Sequence, residues 1–230
     1  MTTTAAPVLP SPLAAPVLRS VEIAGPAGRL EGLLNPGEPG ARFAALVCHP
    51  HPAGGGNLHN KVVYHAMKAL NDPAWGLGFP VLRFNFRSVG RSQGAHDGQA
   101  EAGDVLAALD RLENEYKLPV VAAGFSFGAV MAAAACCGQA QIHALALLGL
   151  PTHAEGRNYT YPMLSTCTIP KLFLSGDCDQ YAPAAQLAQL AASAADPRQL
   201  VLLPGADHFF SGQLEPMQHT LASWLKETLG

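Results

Sequence analysis

Residues 120–129 read VVAAGFSFGA: a short apolar run, then Gly124-Phe125-Ser126-Phe127-Gly128, with the small, apolar, helix-forming stretch 127–137 directly behind it. A serine with glycine two residues to either side, at a junction of strand and helix, is the sequence of a sharp turn that holds one hydroxyl above a sheet, a nucleophile elbow. The serine must take up strained φ/ψ angles to project its side chain, and the glycines serve where a Cβ would clash as chains approach. In a chain with 23 glycines the bare triplet arises by chance, so its meaning depends on the strand before it and the helix after it.

Outward from this turn the same alternation repeats. Segments 43–48, 81–86, 142–148, 171–174 and 200–203 are short, nearly continuous apolar runs, the pattern of strands covered on both faces. Segments 58–70, 99–116, 127–137, 184–194 and 215–229 have helical composition and spacing. Two extended runs, 17–25 and 29–34, flank the turn residues Gly25-Pro26-Ala27-Gly28 and predict an antiparallel pair. The expectation is an α/β fold of about eight strands, mostly parallel, with right-handed crossovers and helices on both faces. No linker or charge run divides the chain, which points to one domain over 17–230, preceded by a Pro-rich arm, 1–16. In such open sheets ligands bind outside the carboxyl ends of the strands, so those ends are where chemistry is sought.

Apolar residues make up 49% of the chain and charged residues 13%, which excludes a disordered chain. A formal charge of -3 gives no electrostatic reason to expect nucleic acid or an anionic membrane as partner. Cys48, Cys136, Cys137, Cys167 and Cys178 are odd in number and lack the spacing of a zinc knuckle or disulfide framework, so a reducing, cytoplasmic setting is expected. The first residues have no basic n-region, their prolines interrupt any apolar core of a signal peptide, and no stretch is long and apolar enough to span a bilayer.

A serine nucleophile needs a histidine base, and the base needs a carboxylate to fix its tautomer. The strand at 171–174 is followed by Ser175-Gly176-Asp177-Cys178-Asp179-Gln180-Tyr181-Ala182-Pro183, in which two aspartates compete for that role. The last apolar strand is followed by Pro204-Gly205-Ala206-Asp207-His208-Phe209-Phe210, which puts His208 in a loop before the final helix. Asp207, next to His208, reads as a turn or helix-capping residue.

Together HPHPAGGGNLHNKVV, FRSVGRSQG, GFSFGA, SGDCDQYAP and GADHFF resemble the α/β-hydrolase superfamily over nearly the whole chain after the arm. More closely, they look like small bacterial hydrolases related to the dienelactone hydrolases. The resemblance implies the order Ser126, Asp179, His208 for a catalytic triad, the acid matching the third position after Gly176 with Pro183 behind it. It also implies an oxyanion hole made by the amide of Phe127 and one from the loop after 43–48. Pro50 has no N–H, so His51 is the expected donor. Ser88 stands where the superfamily usually has glycine, which puts the backbone geometry of that turn in question. Dienelactone hydrolases proper use a cysteine, whereas a serine favours ordinary ester chemistry.

Two other readings of residues 49–61 are weaker. His49 and His51 with His59 or His65 lack the carboxylate or cysteine that would complete a zinc site. Gly54-Gly55-Gly56 precedes a helix, but no Gly-Lys-Ser/Thr follows and Lys61 falls well inside the expected helix, so a phosphate loop is not indicated. Asn57 is the expected cap of that helix, and His59 and His65 are read as surface or packing residues. Cys136 and Cys137 are expected to pack behind Ser126.

These readings lead to a serine hydrolase, a carboxylesterase acting on small or short-chain acyl esters without metal or cofactor. A thioesterase, peptidase or acyltransferase with the same triad, or a non-catalytic binding protein on the same fold, are the alternatives. Residues 149–169 are too few for a lid domain, so the site should be shallow, with Tyr159, Tyr161, Met163 and Phe209 as candidate substrate walls. The expected partner is a small-molecule ester, and exposed apolar residues on a lidless edge leave room for a homodimer.

Overall fold

The apolar runs come together as one eight-stranded sheet. The computed structural model of the chain describes residues 17–154, 157 and 159–230, so the arm expected at 1–16 lies outside the described residues. Strands β1 (Arg19–Gly25) and β2 (Gly28–Asn35) form the antiparallel hairpin. They continue into β3 (Ala44–Cys48), β4 (Val81–Phe84), β5 (Val120–Phe125), β6 (Ile142–Leu148), β7 (Lys171–Gly176) and β8 (Arg198–Leu203). The spatial order is β1-β2-β4-β3-β5-β6-β7-β8, with β2 antiparallel to β4 and β3 to β8 parallel throughout.

Both faces of the sheet are covered, which is why the central strands read as continuous apolar runs. Successive residues of β3 go to opposite sides. Leu46 and Cys48 pack with Val105, Leu109 and Met131, from α2 (Glu101–Tyr116) and α3 (Phe127–Cys136). On that side too lies Leu187 of α4 (Ala184–Ser193). Ala45 and Val47 pack with Val62 and Leu70 of α1 (Lys61–Asn71) and Leu221 and Trp224 of α5 (Leu214–Leu229). Cys136 closes α3 fully buried, as expected, and Cys137 caps the helix.

Helix α1 starts three residues later than its apolar pattern suggests, and Asn60, not Asn57, caps it. The Asn60 side chain accepts from the N–H groups of Val62 and Val63 at 2.9 and 3.4 Å, whereas Asn57 accepts from His59 N–H two residues on and stabilises a local turn. Leu58 is buried but outside the helix, its N–H donating to Asn85 Oδ1 at 2.8 Å, so burial alone mimicked helical periodicity there. Lys61 is accordingly the first residue of α1, not an interior one.

Ser88 does adopt the left-handed conformation that glycine favours, with φ 66°. The turn is held in spite of this. Buried Arg87 donates through Nε and Nη2 to the two oxygens of Asp104 on α2, at 3.0 and 2.8 Å, and to the Ala100 carbonyl at 2.8 Å. Among the described residues no helix is long and apolar enough to cross a membrane.

Candidate active site

Strand β5 leads straight into α3 through Ser126, whose φ of 54° and ψ of -118° lie outside the regions an L-residue normally occupies. Such a conformation costs on the order of 1–3 kcal/mol and persists only where the surroundings impose it. Here the Ser126 N–H donates to Leu148 O on β6 at 2.9 Å, and its carbonyl accepts from Ala129 N–H at 2.9 Å. The flanking glycines are required by crowding. A Cβ on Gly124 would run into the Gly128 carbonyl, and one on Gly128 would run into the Cys48 carbonyl at the end of β3.

The loops after β7 and β8 bring Asp179 and His208 to this turn. Ser126 Oγ donates to His208 Nε2 at 2.9 Å, and His208 Nδ1–H donates to Asp179 Oδ2 at 2.8 Å and lies 3.0 Å from Oδ1. The histidine is almost fully buried, between Phe125, Tyr181 and Phe209. Gly149, at the end of β6, makes room for it: a Cβ there would stand 3.2 Å from His208 Cε1. Burial by itself would raise the Asp179 pKa, but the hydrogen bond and charge of His208, with further bonds from Ser175 Oγ and Tyr181 N–H, outweigh it and hold the carboxyl below its ordinary value.

The other two aspartates are engaged elsewhere. Asp177 accepts from Gly205 N–H at 2.7 Å, which ties the loop carrying the acid to the loop carrying the histidine. Asp207 accepts from the N–H groups of Phe209 and Ser211 at 3.0 and 2.9 Å, the turn role expected of it.

The loop that opens with His49 borders the serine. His49 is fully buried and its two ring nitrogens are both used: Phe86 N–H donates to Nε2 at 3.0 Å and Nδ1–H donates to Pro50 O at 2.6 Å. Burial lowers its pKa to about 4. The ring is thereby a neutral clamp between β3 and the segment after β4, with no lone pair left for a metal. His51 Nδ1 accepts from Ala53 N–H at 3.1 Å, and its ring lies 4.9 Å from that of Phe127. Among the described residues the backbone N–H groups of His51 and Phe127 meet no protein acceptor. That leaves two donors beside Ser126, the second at the start of α3 where a helix has spare N–H groups.

An open cavity of about 540 Å³ lies over this arrangement, lined by Ser126, His208, His51 and Phe127 together with the glycine loop 54–56. Tyr159 and Phe209 line it as expected. Tyr161 and Met163 do not: Tyr161 is buried, its hydroxyl donates to Pro151 O at 2.5 Å, and Met163 packs against the core below the loop. Among the wall residues not anticipated are Tyr181, whose ring stands 4.7 Å from His208, and Arg157. Tyr181 lies within the segment that carries the acid, where a side chain two residues past Asp179 returns to the same cavity; nothing in the pattern around Arg157 marks it. Ser175, which donates to Asp179 Oδ2 at 2.7 Å, was likewise visible only as a strand residue.

Between β6 and β7 the described residues contain one short 3-10 turn, Pro162–Ser165, and no lid. Residues 43–228 match the family model of the alpha/beta hydrolase domain. An uncharacterized protein of Rickettsia prowazekii (strain Madrid E) is 35% identical over 209 residues, 87% of this chain and 86% of that one. Two solved structures are similar throughout. One, from Xanthomonas campestris, is described as an α/β serine hydrolase without lid; it is 30% identical, with a TM-score of 0.81, covering 94% of this chain and 97% of its own. The other is an alpha-beta serine hydrolase homologue from Coxiella burnetii, 34% identical, with a TM-score of 0.81 and coverage of 90% and 97%. The family match and the serine hydrolase descriptions of both structures support a hydrolase. The chain belongs to the alpha/beta hydrolase family.

Proposed function

We propose that this hydrolase is a serine carboxylesterase of small or short-chain acyl esters, working through Ser126, His208 and Asp179. The observation that carries this reading is the continuous set of hydrogen bonds from Ser126 Oγ through both nitrogens of His208 to Asp179. The serine hydrolase description of the Xanthomonas campestris structure supports it. Ser126 Oγ attacks the ester carbonyl carbon while its proton passes to His208 Nε2, and the ionised Asp179 stabilises the imidazolium. The oxyanion is met by the N–H groups of His51 and Phe127. Collapse expels the alcohol, which takes the proton from Nε2. Water then attacks the acyl-enzyme with the same imidazole as base, releasing the acid and restoring Ser126.

The open cavity favours small acyl groups, since it has no lid to enclose a long chain. The test is covalent labelling by a fluorophosphonate probe with peptide mapping, on the wild type and on Ser126→Ala, followed by turnover of chromogenic esters and thioesters. Labelling confined to Ser126 and faster turnover of short esters is the expected result. Absence of labelling in folded protein would overturn the triad, and preference for thioesters would replace the ester assignment.

A further inference from the structure

We infer that Arg157 is an anion-recognition residue of the cleft, and that the preferred substrate is an ester carrying a carboxylate on its acyl arm; this rests on the serine-esterase reading above. Arg157 lines the cavity with Ser126 and His208, and among the described residues no aspartate or glutamate lines it. Two described acids of this region are withdrawn. Asp179 lies behind His208, and Glu101 is fully buried, accepting from His96 Nδ1–H at 2.5 Å and from the N–H groups of Asp97 and Gly98. Among the described residues the cleft therefore carries one positive group and no accessible negative one, a condition that concentrates anions in a concave site.

Every other arginine of the chain has protein work. Arg87 pairs with Asp104, Arg29 with Glu22, Arg91 with Glu31, Arg198 with Asp196, and Arg19 and Arg111 with Glu115. Arg83 and Arg42 donate to Leu58 O and Gly230 O. Among the described residues Arg157 alone donates no side-chain hydrogen bond and joins no ion pair, yet its backbone is held. Its N–H donates to Ala154 O at 3.1 Å in an isolated β-bridge, and the N–H groups of Thr152 and His153 donate to Tyr181 O at 2.8 and 3.0 Å. An exposed guanidinium that lines the same cleft as Ser126 and has no partner among the described residues has the fork geometry that binds a carboxylate through two parallel hydrogen bonds.

The acyl arm is indicated by which residues line the rest of the cleft. His208 must return its proton to the leaving oxygen, so the alcohol arm lies against His208, between Tyr181 and Phe209. With the alcohol arm there, the rest of the cleft lining, His51, Tyr159 and Arg157 included, falls to the acyl arm.

The decisive comparison is 4-nitrophenyl monoadipate against its uncharged methyl ester, 4-nitrophenyl methyl adipate, on wild type, Arg157→Met and Arg157→Lys. Wild type is expected to prefer the anionic ester by about tenfold in kcat/KM, mainly through KM. Arg157→Met should lose that preference, the ratio of the two kcat/KM values falling toward one, and Arg157→Lys should keep part of it. An equal ratio in wild type and Arg157→Met, with both esters turned over, overturns the inference and leaves the esterase reading standing. A second arm needs no turnover: adipate should raise the unfolding midpoint of Ser126→Ala but not of Ser126→Ala combined with Arg157→Met. That dependence on Arg157, found in a protein that hydrolyses neither ester, would keep the anion site and refute the esterase; equal shifts would refute the anion site.

Discussion

Asp179 accepts from His208, from Ser175 Oγ and from the N–H groups of Tyr181 and Ala182, whereas Asp177 accepts from Gly205 N–H. Asp179→Asn is therefore expected to lower kcat on a short-chain chromogenic ester by about 10⁴-fold, because the imidazole loses both its tautomer and its counter-charge. Asp177→Asn should stay within a few-fold of wild type, since an amide oxygen still accepts from Gly205. His49 gives a second residue-scale prediction. Its pKa is about 4 in the folded chain against an ordinary 6.5, because protonation would oppose burial and the bond from Phe86 N–H. Between those values the unfolded chain binds a proton that the folded chain does not, so stability is intact above about 6.5 and declines as the pH falls toward 4. This one group accounts for roughly 3 kcal/mol of that decline. Denaturant unfolding across that range should show the slope. His49→Gln should flatten it, whatever it does to stability at neutral pH.

The turn between β5 and α3 is the element on which the site depends, and it is rigid because three segments meet without room for a side chain. Gly128→Ala would press a methyl group into the Cys48 carbonyl, moving the start of α3 and the Phe127 N–H with it. A loss of about 3 kcal/mol is expected from thermal or denaturant unfolding, with a fall in kcat that exceeds any change in KM. Elements of this kind were legible from the sequence, because glycines two residues either side of Ser126 answer to a crowding that is local along the chain. The start of α1 was less so. Leu58 is buried outside the helix, with its N–H donating to Asn85 Oδ1, so the apolar spacing extended the expected element over three residues that precede it. Asn60→Ala should cost about 1 kcal/mol in denaturant unfolding and Asn57→Ala less, the reverse of what the sequence pattern suggested.

At the scale of the whole molecule, the site is a cleft of about 540 Å³ at one end of the sheet, without a lid in the described residues between β6 and β7. Ester turnover is accordingly expected to peak at short acyl chains and fall as the chain outgrows the cleft, measured as kcat/KM over a homologous series. A rise with chain length would show that long acyl chains find a binding surface beyond it. The sequence by itself determined the sheet of eight strands, the strained serine at its centre, and the loops at the strand ends where an acid and a histidine had to lie. These follow from periodicity and turn chemistry, which act between residues close along the chain. The family resemblance already favoured Asp179 over Asp177 as the partner of His208; only the tertiary structure decided that Tyr159, Phe209 and Tyr181 form the wall while Tyr161 and Met163 pack beneath it, and that Arg157 lines the cleft. The direction of a loop side chain is set by contacts between segments remote in sequence, such as the Tyr161 hydroxyl on Pro151 and the Tyr181 carbonyl on Thr152, and no local pattern records them.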